Sequence, residues 1–218
     1  MNRIYEAIVS HKLIVIIRGL PETELLKTAE ALYKGGIRLV EVTFNQKSRD
    51  CVNDTAKAIR ALCGEFSDMH IGAGTVMNEE QANAAVDAGA GYLISPDANE
   101  KVIKAAKDGG VLSIPGAMTP TEIAAAYNAG ADFVKLFPAG ELGVGDVKAG
   151  RSPLNNIPLL AVGGIDHKNM PPFLDAGILG FGVGGNIVKP ELITDKRFDG
   201  ITELAQLYVS TLNRHMTV

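Results

Sequence analysis

The sequence has no surplus of positive charge: 21 Lys and Arg stand against 25 Asp and Glu, a formal net charge of −4. That excludes a general cationic field for nucleic acid or an anionic membrane, so an anionic ligand would have to be caught locally. No apolar run approaches the ~20 residues of a membrane span. The segment Met1 to Lys12 lacks the apolar stretch and small-residue cleavage site of a secretory signal. Cysteine is scarce as well. Cys51 and Cys63 fall in what reads as one helix, twelve positions apart, or about 18 Å at 1.5 Å per residue, beyond disulfide reach. A cytoplasmic location is expected. His11, His70, His167 and His215 are scattered, with no HxxxH or CxxC spacing, so no metal site is prearranged. No GxGxxG follows the first apolar strand, which removes the usual dinucleotide signature. The expectation is a protein without metal or other cofactor.

What is present is a repeat. With 218 residues, 46% of them apolar, and 24 glycines, the chain can bury one sizeable core. Helical stretches end in small residues and glycine, and a short branched apolar run follows at once. Instances are Gly35-Gly36 before IRLVEV, Gly89 before YLIS, Gly109-Gly110 before VLSI, Gly130 before DFVKLF and Gly177 before LGFGV. Glycine accepts the left-handed backbone that commonly ends a helix. Strands are predicted near 13–18, 37–43, 69–73, 91–95, 111–114, 132–137, 158–162 and 179–183. Helices with amphipathic spacing lie between them, some opening on cap residues such as Asn78 and Thr119-Pro120. Strands alternating with helices imply a parallel sheet. Eight such units close into a (β/α)8 barrel, the TIM-barrel architecture, here expected as a single catalytic domain over 1–218. An open doubly wound sheet is the alternative. The stretch from Pro138 to Pro158 reads as a long loop with a short helix.

Two charges point into this core. Side chains alternate across a strand, so the sixth strand places Phe133, Lys135 and Phe137 on one face and Val134 and Leu136 on the other. The Val/Leu face suits the helical layer, which leaves Lys135 inside the barrel. The second strand likewise turns Leu39, Glu41 and Thr43 to one face and Val40, Val42 and Phe44 to the other. Both strands are even-numbered, and layers in such a barrel come from alternate strands, so Lys135 and Glu41 can meet. One reading is a buried structural ion pair. The other is a nucleophilic amine with a proton-transfer carboxylate. At a pKa near 10.4 only about one lysine in 2,500 is neutral at pH 7, so an amine nucleophile needs desolvation or a neighbouring cation. Burial lowers the lysine pKa and an ionised Glu41 raises it. An internal lysine suits imine formation with a ketone, with the carboxylate moving protons.

Candidate binding groups surround this pair. Arg18 ends the first strand and could clamp a carboxylate or form a rim ion pair. Gly72-Ala73-Gly74-Thr75 closes the third strand, where the Thr75 hydroxyl would stand at the mouth. Pro96 follows the fourth strand as a stop or a contact. Gly163-Gly164 and Gly184-Gly185 follow the last two strands, where phosphate sites of this fold are commonly built; each pair could also be a tight turn.

The segments EVTFN, GAGTV, ISP, VKLFPA, VGGI and GVGGN, in this order through nearly the whole chain, resemble the class I aldolases that cleave 2-keto-3-deoxy-6-phosphogluconate and 4-hydroxy-2-oxoglutarate. The resemblance implies that Lys135 is the Schiff-base lysine and Glu41 the acid/base glutamate, with Thr75, Pro96 and Phe137 in the pocket. It also implies a homotrimer that forms pyruvate and either glyceraldehyde 3-phosphate or glyoxylate. Three positions depart from the phosphogluconate pattern. Asn45 stands in place of an arginine, Val162 in place of a threonine, and Asn186 in place of a serine. Asn45 and Val162 are similar to the branch acting on 2-keto-3-deoxy-6-phosphogalactonate.

The expectation is therefore an aldolase acting on a small keto acid, phosphorylated if the glycine pairs hold an anion, with Lys135 and Glu41 as reacting groups. Arg18, Asn45, Thr75, Pro96, Phe137, Gly163, Gly164, Gly184, Gly185 and Asn186 would bind substrate. The alternatives are an aldolase specific for the galactonate, a phosphate-binding barrel isomerase or epimerase, and a sugar-phosphate sensor without turnover.

Overall fold

The computed structural model describes residues 3–216. After α1 (Arg3–His11) the chain runs β1 (Leu13–Arg18), α2 (Glu22–Lys34), β2 (Leu39–Thr43), α3 (Cys51–Glu65), β3 (His70–Gly74), α4 (Glu79–Asp87) and β4 (Tyr92–Ile94). It continues through α5 (Glu100–Asp108), β5 (Leu112–Ile114), β6 (Gly116–Ala117), α6 (Pro120–Asn128), β7 (Val134–Leu136), α7 (Ala139–Arg151) and β8 (Leu159–Val162). Last come α8 (Met170–Asp175), β9 (Gly180–Val183), α9 (Pro190–Thr194) and α10 (Phe198–Met216).

All ladders are parallel, in the order β5-β4-β3-β2-β1-β9-β8-β7-β6. β5 pairs with β4 while β6 pairs with β7, and only Pro115 separates them. Proline has no N–H to give a ladder, so the expected fifth strand, 111–114, ends before it as β5, and the short β6 is a further strand beyond it. The Pro115 carbonyl still accepts from Lys135 N at 2.8 Å, and the Ser113 carbonyl accepts from Asp132 N at 3.0 Å. The two short pieces thus act as one stave that closes the sheet into an eight-stave barrel, and the open doubly wound alternative is overturned.

The helix stops follow from the sequence. Gly36, Gly89, Gly110, Gly130 and Gly177 all have φ between +69° and +104°. After each, the next amide bonds back to the fifth residue before it, as in Ile37 N to the Leu32 carbonyl at 3.0 Å. That six-to-one bond satisfies a terminal carbonyl and turns the chain back toward the barrel. Asn78 and Thr119 cap α4 and α6, the second through a reciprocal box with Glu122.

Two apolar layers result. Val15, Ile17, Val40, Val42, Val134, Leu136 and Ala161 face the helices, while Ile14, Leu39, Tyr92, Ile94, Ile114, Phe133 and Leu160 fill the barrel interior. Ala7 and Ile8 of α1 join the interior cluster, and Tyr5 stacks on Phe133 at 4.5 Å between ring centroids. α1 therefore closes the N-terminal end of the barrel, leaving the opposite end open. The stretch expected as a long loop from Pro138 to Pro158 is mostly helical, comprising α7 and a 3-10 turn at Ser152–Leu154. Its glycines weaken the helical signal, and Gly143 leaves helical geometry at φ +76°, but Val147 is buried and Leu142 and Val144 pack on the core. Among the described residues no helix is long and apolar enough to cross a membrane.

Candidate active site

The strand alternation carries Glu41 and Lys135 inward, as expected. Glu41 is 2% exposed and Lys135 8%. Both line one small chamber inside the barrel, whose other walls include Ile16, Ile94, Ile114 and Leu160. Lys135 also lines a wider cavity of about 380 Å³ above it, at the C-terminal ends of the strands. Lys135 therefore stands where the chamber meets the mouth.

No ion pair joins the two groups among the described residues. Burial pushes Lys135 below the ordinary lysine pKa; the Glu41 carboxylate opposes this and the Arg18 guanidinium assists. Burial likewise pushes Glu41 above the ordinary carboxylate value, against the pull of Lys135 and then Arg18. Desolvation thus prevails at both sites and shifts the amine and the acid each toward its uncharged form. Lys135 Nζ lies 4.9 Å from the centroid of the Phe137 ring.

Glycines make room for these side chains. A Cβ on Gly74 would lie 2.6 Å from Glu41 Oε1, so β3 must be bare where the carboxyl crosses it. Gly72 leaves space for the ring of Tyr92, a buried residue whose hydroxyl donates to the Val40 carbonyl at 2.7 Å. That ring belongs to the apolar cluster of the barrel interior, and burial raises its phenol pKa well above 10. Tyr92 is therefore held as a neutral hydrogen-bond donor.

Around the mouth the structure brings together Arg18, Thr75, Pro96 and Phe137. Arg18 is exposed, and its charge is felt by both Glu41 and Lys135. Thr75 takes a left-handed backbone, φ +57°. Phe137 is 40% exposed, and its ring passes where a Cβ on Gly163 would lie 2.9 Å away. Gly163 and Gly164 have φ of +84° and +71°, and Gly140 N donates to the Gly163 carbonyl at 2.8 Å.

Gly184, Gly185 and Asn186 line the same wall. The amides of Gly164, Gly185 and Asn186 have no protein acceptor among the described residues, so this wall presents backbone donors to the cavity. Val162, buried and aliphatic, supplies no hydroxyl. The Asn186 side chain turns to the neighbouring loop: its Nδ2 donates to the Ile165 carbonyl at 2.9 Å, and it lies within reach of the buried Tyr208 hydroxyl of α10. It braces the two glycine loops.

Asn45 lies elsewhere. It is exposed and lines a second cleft of about 370 Å³ between the β1–α2 and β2–α3 loops, with Gly19, Thr43 and Asp54. Its Oδ1 accepts from Lys47 N at 3.2 Å. Sequence reasoning did not single out Gln46 and Gln81, whose amides bond to each other and to the Thr75 loop. The one available signal was an amide side chain in the first turn of α4.

Known proteins agree with this geometry. The family model described as KDPG and KHG aldolase matches residues 4–204. A probable 2-dehydro-3-deoxy-6-phosphogalactonate aldolase of Rhizobium meliloti is 35% identical over 208 residues, covering 94% of this chain and 95% of that protein. A 2-dehydro-3-deoxy-phosphogluconate aldolase of Treponema pallidum is also 35% identical over 208 residues, covering 94% and 96%. The crystal structure of a KDPG aldolase from Legionella pneumophila, with pyruvate captured as a covalent carbinolamine, superimposes with a TM-score of 0.83. It is 29% identical, with 94% of this chain and 97% of that one covered. A profile spanning most of the chain and relatives matched nearly end to end place this protein in the KDPG and KHG aldolase family.

Proposed function

We propose that this lyase cleaves a 2-keto-3-deoxy-6-phospho sugar acid reversibly to pyruvate and an aldehyde, through an imine on Lys135. The observation that carries this reading is the placement of Lys135 and Glu41 in one apolar chamber, unpaired and both driven toward neutrality by burial.

Neutral Lys135 Nζ adds to the C2 ketone, giving a carbinolamine. Glu41, as the acid, protonates the departing hydroxyl, and water leaves with formation of the protonated imine. Glu41, now a carboxylate, accepts the proton of the C4 hydroxyl. The C3–C4 bond breaks, its electron pair flows through C2 to the imine nitrogen, and the aldehyde departs. Glu41 returns its proton to C3 of the enamine, and hydrolysis of the imine releases pyruvate and restores Lys135.

In this reading Arg18 pairs with the substrate carboxylate, and Thr75, Pro96 and Phe137 shape the pocket. The free amides beside Gly163, Gly164, Gly184, Gly185 and Asn186 receive the phosphate, a good match for an anion without a cationic side chain. Asn45 would reach substrate only from the neighbouring cleft beside Thr43. An aldehyde product of glyoxylate, from 4-hydroxy-2-oxoglutarate, would leave those amides to water. The galactonate isomer is a second reading, favoured by aliphatic Val162 at the position noted above.

The same reading makes 1–218 one catalytic domain that acts in the cytoplasm as a homotrimer. Met77 and Met118, 37% and 46% exposed, give the mouth loops apolar surface suited to a partner subunit. Sedimentation equilibrium would test the trimer.

Borohydride reduction in the presence of pyruvate tests the chemistry. A stable adduct should map to Lys135 by peptide mass analysis. Folded, active enzyme that yields no adduct there would overturn the mechanism.

A further inference from the structure

The backbone at the mouth holds an outlier. Lys12, Thr75 and Lys196 are the described non-glycine residues with positive φ. Of these, only Thr75 is β-branched and only Thr75 lines the cavity. A β-branched residue avoids the left-handed region because its Cβ substituents crowd the backbone, so the surroundings must hold it there.

Two glutamines supply the restraint. Gln46 Nε2, from the β2–α3 loop, donates to the Thr75 carbonyl at 2.9 Å. Gln81 Nε2, from the first turn of α4, donates to Gln46 Oε1 at 2.9 Å. Gln81 Oε1 in turn accepts from Met77 N at 2.8 Å. The chain is therefore gripped at Thr75 and two residues beyond it by one pair of amides. Gln81 is 2% exposed, and its own N–H donates to the Asn78 cap at 2.9 Å. On either side, Phe44 N donates to the Gly74 carbonyl at 2.9 Å and Val76 N to the Ile94 carbonyl at 3.1 Å.

We propose that Gln46 and Gln81 are positioning residues for the aldol reaction: their amide pair holds Thr75 left-handed, which sets its side chain against the reacting centre. The inference rests on the imine reading for why that placement matters. Two polar side chains, one from a loop and one from a helix, are otherwise an indirect way to fix a turn. A glycine at position 75 would take φ +57° without any clasp.

That last point supplies the experiment. Steady-state kinetics are measured for Gln46→Ala, Gln46→Glu, Thr75→Gly and the double variant Gln46→Ala/Thr75→Gly, with pyruvate trapping at Lys135 run on each. Gln46 is exposed, so its variants should fold, and melting curves check this. Gln46→Glu can still accept from Gln81 but cannot donate to the Thr75 carbonyl. Both Gln46 variants should lose about 10- to 100-fold in kcat, the scale of a misplaced substrate-positioning group, with trapping retained. In the Thr75→Gly background Gln46→Ala should have no further effect on kcat.

Wild-type kcat in Gln46→Ala would overturn the proposal. So would the same loss in both backgrounds, which marks a loop staple, or wild-type kcat in Gln46→Glu, which marks the contact with Gln81 as the one that counts. Absence of the Lys135 adduct in the wild type would instead remove the imine reading, a result separable from all of these.

Discussion

Gly74 and Glu41 occupy one another's space: a Cβ on Gly74 would stand 2.6 Å from Glu41 Oε1 and 2.9 Å from Thr43 Cγ2. Backbone on β3 thereby fixes where the carboxyl on β2 can lie. Gly74→Ala should push the carboxyl off its track and lower kcat by about 100-fold, the expected penalty for a misplaced reacting group. Borohydride should still trap pyruvate on Lys135, more slowly. Kinetics and adduct mass together check this, and wild-type kcat would show that Glu41 has room to spare.

The charges around Lys135 predict the pH profile of kcat/KM. The amine attacks only when neutral, so the acidic limb follows its titration. Glu41 raises the Lys135 pKa and Arg18 lowers it. Glu41→Gln should therefore move the acidic limb to lower pH, and Arg18→Gln should move it to higher pH. Glu41→Gln also removes the proton carrier and should lower kcat by about 10²- to 10⁴-fold. Equal shifts in one direction would mean that these charges do not govern the amine.

Burial of the pair should also appear in stability. Lys135 has a lowered folded pKa, so between that value and 10.5 the unfolded chain binds more protons and stability rises with pH. Glu41 has a raised folded pKa, so stability falls as pH climbs from 4.5 through that value. Both groups therefore oppose folding near neutrality. Lys135→Met/Glu41→Leu should be more stable than wild type by about 1–4 kcal/mol, as for other buried charges replaced by apolar groups. Each kcal/mol corresponds to roughly 2–4 °C in Tm for a domain of this size. Thermal unfolding at pH 7 checks it, and a lower Tm would mean that the pair holds the barrel together.

What could be read in advance follows from the range of each interaction. The inward turn of Lys135 and Glu41 is a period-two property of six residues, and the glycine stops depend on one local backbone angle. Both are legible in sequence. The stop of the fifth strand before Pro115 was local and legible too, whereas β6 exists through its pairing with Lys135 and Leu136 of β7. α1 stood outside the strand-helix repeat, so its role as the barrel's floor was not legible. The direction taken by Asn186 depends on Ile165 and Tyr208, and the clasp on Thr75 depends on residues 29 and 35 positions apart. Such contacts exist only once the barrel closes. Asn45 shows the same limit, since the cleft it lines is formed jointly by the β1–α2 and β2–α3 loops.

The wall of free amides predicts how the enzyme separates phosphorylated from plain substrates. Val162 sits in that wall without a hydroxyl, and Asn186 spends its amide on the Ile165 carbonyl. Val162→Thr is close to isosteric and adds a donor where an anion would rest. A hydrogen bond to a charged group contributes about 1.5–3 kcal/mol, so KM for the phosphorylated keto acid should fall by about 10-fold or more. KM for 4-hydroxy-2-oxoglutarate, which has no phosphate, should stay within about twofold. Asn186→Ala releases the brace between the two glycine loops and should raise KM for the phosphorylated substrate alone. Paired assays of the two substrates on each variant separate a phosphate effect from general damage, because general damage raises KM for both. If neither variant distinguishes the substrates, the phosphate lies away from these loops and the glycine pairs serve only as turns.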